Sequence, residues 1–216
     1  MLQYGLFVDG VHLCSLGSPP DIVPAVKVMR KPQDITIDRT LLIYVLHVAE
    51  SKEFAMVSDV KLQQLVFLAE LQMLGKGLRG FHFEFMRYPY GAFSKDLDND
   101  LLALRKKERL QNFDLVGQAE ECIPLLEEAI PGVEANEKIM ELIHTVIEAY
   151  GSQDLDQIAK SVEDVEISAV DRPEEKIRIR DIPFHSMVLV PSRIEVTGEF
   201  SLPPKTLSQL NTALGL

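Results

Sequence analysis

The sequence predicts an α+β protein, mostly α-helical, with a winged helix-turn-helix-like core, a helical extension and a small β module from the two termini. Three observations carry that expectation. Residues 61–110 read as a helix, a glycine turn, an aromatic strand and a second helix. Apolar residues recur at helical spacing from there to residue 162, whereas both ends of the chain alternate or run apolar in short, strand-like pieces. The apolar fraction, 46% of 216 residues, is ample for a buried core. Four stretches follow: 1–35 as a β-hairpin and connecting segment, 36–116 as the core, 117–170 as the helical extension, and 171–216 as strands and a terminal helix able to pair with the first stretch.

Within residues 2–16, Asp9-Gly10 lies between GLFV and VHLC and supplies the positive φ values of a hairpin turn. Pro19, Pro20, Pro24 and Pro32 then keep the chain from helix as far as Gln33, leaving room for one further strand over 25–29. The first helix is expected from Asp38, as its cap, to about Glu50, with Leu41, Leu42, Val45, Leu46 and Val48 as a broad apolar face. Ser58 caps a second helix whose stripe is Leu62, Leu65, Val66, Ala69 and Met73 and which Gly75 stops. Residues 81–88 alternate, with Phe81, Phe83 and Phe85 on one face and His82, Glu84 and Met86 on the other. Ser94 caps the next helix, Leu97, Leu101 and Leu104 point inward, and basic residues close it.

Past Gly117 the chain turns helical again. Pro124 kinks a helix over 120–130 or marks its first turn. A cleaner helix covers 136–150, and Ser152 caps a last short one to Val162. From Lys176 the period shortens: KIRIR, MVLV and RIEVTGEF read as two or three strands, followed by a helix over 205–214.

The central segment resembles the Panacea domain, the SocA-like antitoxin domain common in prophage and toxin–antitoxin proteins. Lys61-Leu62-Gln63-Gln64-Leu65 with Phe67 and Ala69 is similar to the early KLQKLLYFA helix of that family. Tyr90-Gly91 with Phe93-Ser94 and Leu97 is similar to its YGP motif, and Ala149-Tyr150-Gly151 to a third, weaker feature. The match spans roughly 60–162. Ala92 stands where the family usually has proline, and Glu108 where a glycine often closes the helix. The resemblance implies a non-enzymatic domain that binds another protein, often a toxin. On that reading the contact surface comprises Lys61, Gln64, Tyr90, Phe93, Ser94, Asp96, Asp98 and Asp100. Read from the residues alone, Gly91 permits a tight strand-to-helix turn with Tyr90 packed under it, and Lys61 and Gln64 lie one turn apart on a face offset from the apolar stripe.

The alternative is a DNA-binding regulator of the winged-helix class, with Lys76, Arg79, Arg105, Lys106, Lys107 and Arg109 on phosphates. Asp96, Asp98 and Asp100 at the start of the presumed recognition helix oppose it, because that end would face a polyanion. Charge adds to this: residues 116–216 hold 8 basic and 19 acidic residues, net −11, which disfavours phosphate backbones and favours solubility or a basic protein partner.

Other chemistries lack their signatures. Gly75, Gly77 and Gly80 spell G-x-G-x-x-G, but helix precedes and strand follows, the reverse of the dinucleotide order. Glu141 and His144 have E-x-x-H spacing without the second copy a di-metal bundle needs. No G-x-S-x-G or Cys/His signature appears, Cys14 and Cys122 form no pair motif, and the five histidines are dispersed. No cofactor or metal is expected. The first residues lack a basic n-region, no apolar run approaches the ~20 residues of a membrane span, and a cytoplasmic location is expected.

Overall fold

A computed structural model describes residues 12–13, 29–169 and 172–216. It is an α+β fold in which helices dominate and the sheets are small. In chain order the elements are β1 (His12–Leu13), α1 (Pro32–Ser51), α2 (Asp59–Gly75), β2 (Leu78–Arg79), β3 (Phe85–Tyr88), β4 (Gly91–Phe93), α3 (Lys95–Lys106), β5 (Leu110–Gln111) and β6 (Asp114–Leu115). There follow α4 (Cys122–Ala129), α5 (Glu134–Tyr150), α6 (Leu155–Glu163), β7 (Glu166–Ala169), β8 (Arg172–Arg178), β9 (Met187–Leu189), β10 (Gly198–Glu199) and α7 (Pro204–Leu214). No described helix is long and apolar enough to cross a membrane.

The centre of the fold is α2. Its residues from Lys61 to Leu74 are all buried, because α5, α6, β2 and β4 pack around it. The predicted stripe is therefore only part of the buried surface: Phe67, Leu68, Leu71 and Leu74 are buried too, and Lys61, Gln63, Gln64, Glu70 and Gln72 are enclosed with them. Its cap is the predicted one, with Ser58 Oγ accepting from Lys61 N at 3.2 Å. A second layer forms where α1 packs on α7, α4 and α5.

The first helix starts earlier than its pattern suggests. Pro32 occupies the first turn, where its missing N–H costs nothing, and Asp34 accepts from Lys31 N at 2.9 Å. Asp38 is thus no cap but a fully buried residue inside α1. Similarly, α6 is capped by Asp154, which exchanges hydrogen bonds with Gln157, and not by Ser152. Pro124 sits in the first turn of α4. Asn136, expected at a helix start, lies buried within α5 and exchanges bonds with Ser201 at 2.7 and 3.0 Å.

The aromatic face of residues 81–88 is buried as its alternation requires, with Phe81, Phe83 and Phe85 at 0% exposure. Only Phe85–Tyr88 pairs in a ladder, however. Upstream, side chains take the place of a neighbouring strand: Glu70 Oε2 accepts from Phe81 N at 2.8 Å and Asp38 Oδ1 from His82 N at 2.9 Å.

The terminal strands divide among three sheets. β1 lies parallel to β7, which pairs antiparallel with β8. β9 instead joins β3, and β10 joins β2, so Val188, Leu189 and Phe200 enter the main core and do not form a module with the amino terminus. The predicted Asp9-Gly10 turn and, apart from Met29, the strand predicted over 25–29 lie outside the described residues. A hairpin that sequence reading missed, β5–β6, follows α3 through Asn112, which adopts φ 58°.

Candidate functional site

The three segments that carry the family resemblance meet at one place, through the polar residues of α2. Gln64 accepts from Ala92 N at 3.0 Å and donates to Ala92 O at 2.9 Å. The preceding residue, Gln63, accepts from Ser94 N at 2.8 Å and donates to Ser94 O at 3.0 Å. β4 is an edge strand, and these two amides complete its open side as a neighbouring strand would. Lys61 Nζ donates to the carbonyls of Gly151 at 2.7 Å and Ala55 at 3.0 Å, and burial lowers its pKa.

Those contacts correct half of the predicted surface. Lys61, Gln64, Ser94 and Asp100 are each at most 4% exposed and hold the fold together, so they are not available to a partner. Asp100 accepts from Arg30 at 2.7 Å and Arg39 at 2.9 Å. The sequence hid this because lysine, glutamine and aspartate at helical spacing read as a solvated face, and their partners come from distant segments: the β3–β4 hairpin for Gln64, the loops at Ala55 and Gly151 for Lys61, and Arg30 and Arg39 for Asp100.

The other half remains at the surface. Tyr90 is 60% exposed at the tip of the β3–β4 hairpin, not packed under Gly91 as expected, while Phe93, Asp96 and Asp98 are partly exposed. Tyr90 shares a small hollow with Tyr88 and Phe93, and the Tyr88 ring lies 5.0 Å from Phe93 and 5.1 Å from His185, a residue of a distant segment. Phe184 and Met187 add exposed apolar surface. Arg87, buried beneath, fixes the tip. Its guanidinium bonds Ile179 O at 3.1 Å, Glu163 at 2.7 Å and the carbonyl of Tyr88, and lies 4.9 Å under the Phe184 ring. The turn bearing Phe184 is bonded to Arg87 through His185 N at 2.8 Å, with His185 at φ 68°. Nothing in the local sequence of residues 183–187 announces this role, since it depends on β9 pairing with β3.

Half of the six cations of the DNA alternative are committed within the fold. Arg105 pairs with Asp59, Arg79 donates to Pro191 O at 2.8 Å and Ile194 O at 2.6 Å, and Arg109 donates to Ala213 O. Lys76, Lys106 and Lys107 are exposed.

No family model, curated protein or solved structure matches this chain.

Buried ionisable groups lie elsewhere, around His82. Asp38 Oδ1 at 2.9 Å and Glu199 Oε1 at 3.0 Å accept from its ring, and Arg30 joins Asp38 at 2.7 Å. Burial alone would lower the imidazole pKa, but Asp38, Glu199 and Asp34 together push it up to about 9. Glu70 is fully buried, with Oε1 lacking a protein hydrogen-bond partner, and burial pushes its carboxyl up to about 8. It was legible as the one charge in the apolar run LVFLAELQML. His144, of the E-x-x-H spacing, meets Tyr44 Oη at 2.8 Å, while Glu148 is held by Lys52. Burial raises the Cys122 thiol to about 11, so it stays protonated at neutral pH.

A pH prediction follows from Glu70. The folded chain keeps a proton that the unfolded chain releases near the ordinary carboxyl value. Glu70 therefore opposes unfolding fully below that value, and this contribution is lost as pH rises through about 8. Glu70→Gln cannot ionise. In urea titrations its stability relative to the natural chain should rise by a few kcal/mol between pH 5 and pH 8.5; a pH-independent difference would show that the carboxyl is already ionised in the fold.

Proposed function

We propose that this chain is a non-enzymatic regulatory module that binds another protein, as the Panacea-type resemblance implies, with a toxin as the partner on that reading. The observation that carries the proposal is the aromatic tip: Tyr90 stands exposed in one hollow with Tyr88 and Phe93, on a backbone held by Gln63, Gln64 and Arg87, and the exposed Phe184 ring packs on the Arg87 guanidinium. Rigid, clustered aromatics lose little entropy on binding and make the usual anchors of protein interfaces. Asp96 and Asp98 beside them suit a partner with basic residues at its rim.

Two further features support the family resemblance. The Tyr90-Gly91 and Ala149-Tyr150-Gly151 motifs both rest on the Lys61–Gln64 turn. Glu108, at the position where the family often has glycine, adopts φ 55°, the conformation glycine favours. Ala92 departs from the family proline at a residue whose N–H Gln64 uses, a bond that proline could not make. In the same reading the centre is winged-helix-like, with α1, α2 and α3 as its helices and the β5–β6 hairpin as its wing.

A tagged pull-down from host lysate, with and without nuclease, tests the proposal. A stoichiometric protein partner should survive nuclease. Tyr90→Ala should weaken its capture by about 30-fold, as for an interface anchor worth about 2 kcal/mol, with the melting temperature nearly unchanged. Recovery of DNA, with proteins lost on digestion, would overturn the reading in favour of a regulator.

A further inference from the structure

The carboxy end of α1 and the β5–β6 hairpin bound a groove of about 360 Å³ that shares no lining residue with the small hollow beside Tyr90. Its floor is apolar. Leu46 and Ala49 are buried there, and Phe54, Met56 and Phe113 are half-buried against the core. Its rim carries three exposed carboxylates, Glu50, Glu53 and Asp114.

The charge at this rim is uncompensated. Some surface carboxylates are neutralised in place, as Asp98 is by Lys95, Glu134 by Lys138 and Asp164 by Arg180. Among the described residues no cation pairs with Glu50, Glu53 or Asp114, and none lines the groove. The two nearby candidates face elsewhere: Lys52 is held by Glu148 at 2.6 Å, and Arg105, whose guanidinium lies 5.4 Å from the Phe113 ring, is paired with Asp59.

The groove is also preformed. Phe54 N donates to Ala49 O at 2.9 Å and Lys61 Nζ to Ala55 O, so the buried lysine that braces the motif hub also fixes this loop. Phe54 lies so close to Gly151 that any side chain there would overlap its ring.

We propose that this groove docks a basic, apolar segment of another protein. An aliphatic side chain fills the floor, while lysine or arginine lays its methylene stem on Phe113 or Met56 and brings its cation to the three carboxylates. Charge complementarity selects this occupant. A purely apolar segment would cover three like charges without compensating them, and an acidic one would be repelled.

The test uses fluorescence anisotropy with the full chain and a labelled amphipathic peptide of lysine and leucine, leucine being placed at helical spacing. Saturable binding is expected, weakened at least about tenfold when serine replaces leucine and abolished when glutamate replaces lysine. The double variant Glu53→Asn with Asp114→Asn should weaken binding about tenfold, as should Phe113→Ser. Asparagine tolerates the left-handed backbone at Glu53, φ 57°, so the double variant should keep its melting temperature. Glu128→Gln with Glu174→Gln removes the same charge from exposed sites outside the groove and should leave binding intact. Equal loss in the two charge-matched pairs, or binding indifferent to the groove variants, would overturn the proposal.

Discussion

Replacing Gly91 with alanine is expected to lower the melting temperature by about 10 °C while leaving the chain able to fold. Gly91 adopts φ 106°, a backbone conformation that costs an L-residue about 1–3 kcal/mol. A Cβ there would also overlap Gln64 Oε1, the acceptor for Ala92 N. Either the glutamine swings out, leaving the buried edge of β4 without partners at about 1–3 kcal/mol, or the hairpin shifts. The two costs together, about 4 kcal/mol, correspond to roughly 2–4 °C per kcal/mol in a chain of this size. Differential scanning calorimetry checks the figure, and a double-mutant cycle checks the cause. In a Gln64→Ala background the overlap is gone, so the added cost of Gly91→Ala should shrink to the backbone part alone. Full additivity would mean that the glutamine and the glycine are independent, and the account of the hairpin edge would fail.

The second large effect is expected at Asp38. This carboxylate is completely buried in α1, joined to Arg30 at 2.7 Å and to both His82 N and His82 Nδ1 at 2.9 Å. Asp38→Ala leaves Arg30 and His82 short of a partner and strands the His82 N–H, and removing one member of a buried ion pair typically costs about 3–5 kcal/mol. The result specific to this geometry is in the titration of His82. Its imidazole, held up to about 9 largely by Asp38, should fall toward its ordinary value in the variant, read by NMR of the ring protons. Because the raised pKa stabilises the fold below neutrality and that contribution is lost as pH rises through about 9, the natural chain should also soften in alkaline solution more than the variant does. An unchanged histidine titration would mean that the Asp38–His82 contact does not form in solution.

Both predictions concern residues whose deciding partners lie far away in the sequence. Gly91 was recognised as a turn glycine, yet the partner that makes alanine intolerable lies 27 positions earlier in α2. Asp38 has the place of a helix cap in the sequence, because aspartate before an apolar run usually is one. The bonds to Arg30 and His82 show that it instead links α1 to the segments before and after it. The surface assigned to a partner split in the same way: Tyr90, Phe93, Asp96 and Asp98 stayed accessible, and Lys61, Gln64, Ser94 and Asp100 were enclosed.

The sequence by itself determined the helices with a strong period, the caps Ser58 and Ser94, the buried phenylalanine face and the helical character of the chain, since all of these depend on residues within a few positions of one another. Tertiary structure decided which polar residues are surface and which are core, and which sheet each short strand joins. Those outcomes depend on hydrogen-bond donors and acceptors that meet across dozens of positions. A glutamine on α2 is a solvated side chain until an edge strand lies against it, and then it becomes part of the sheet.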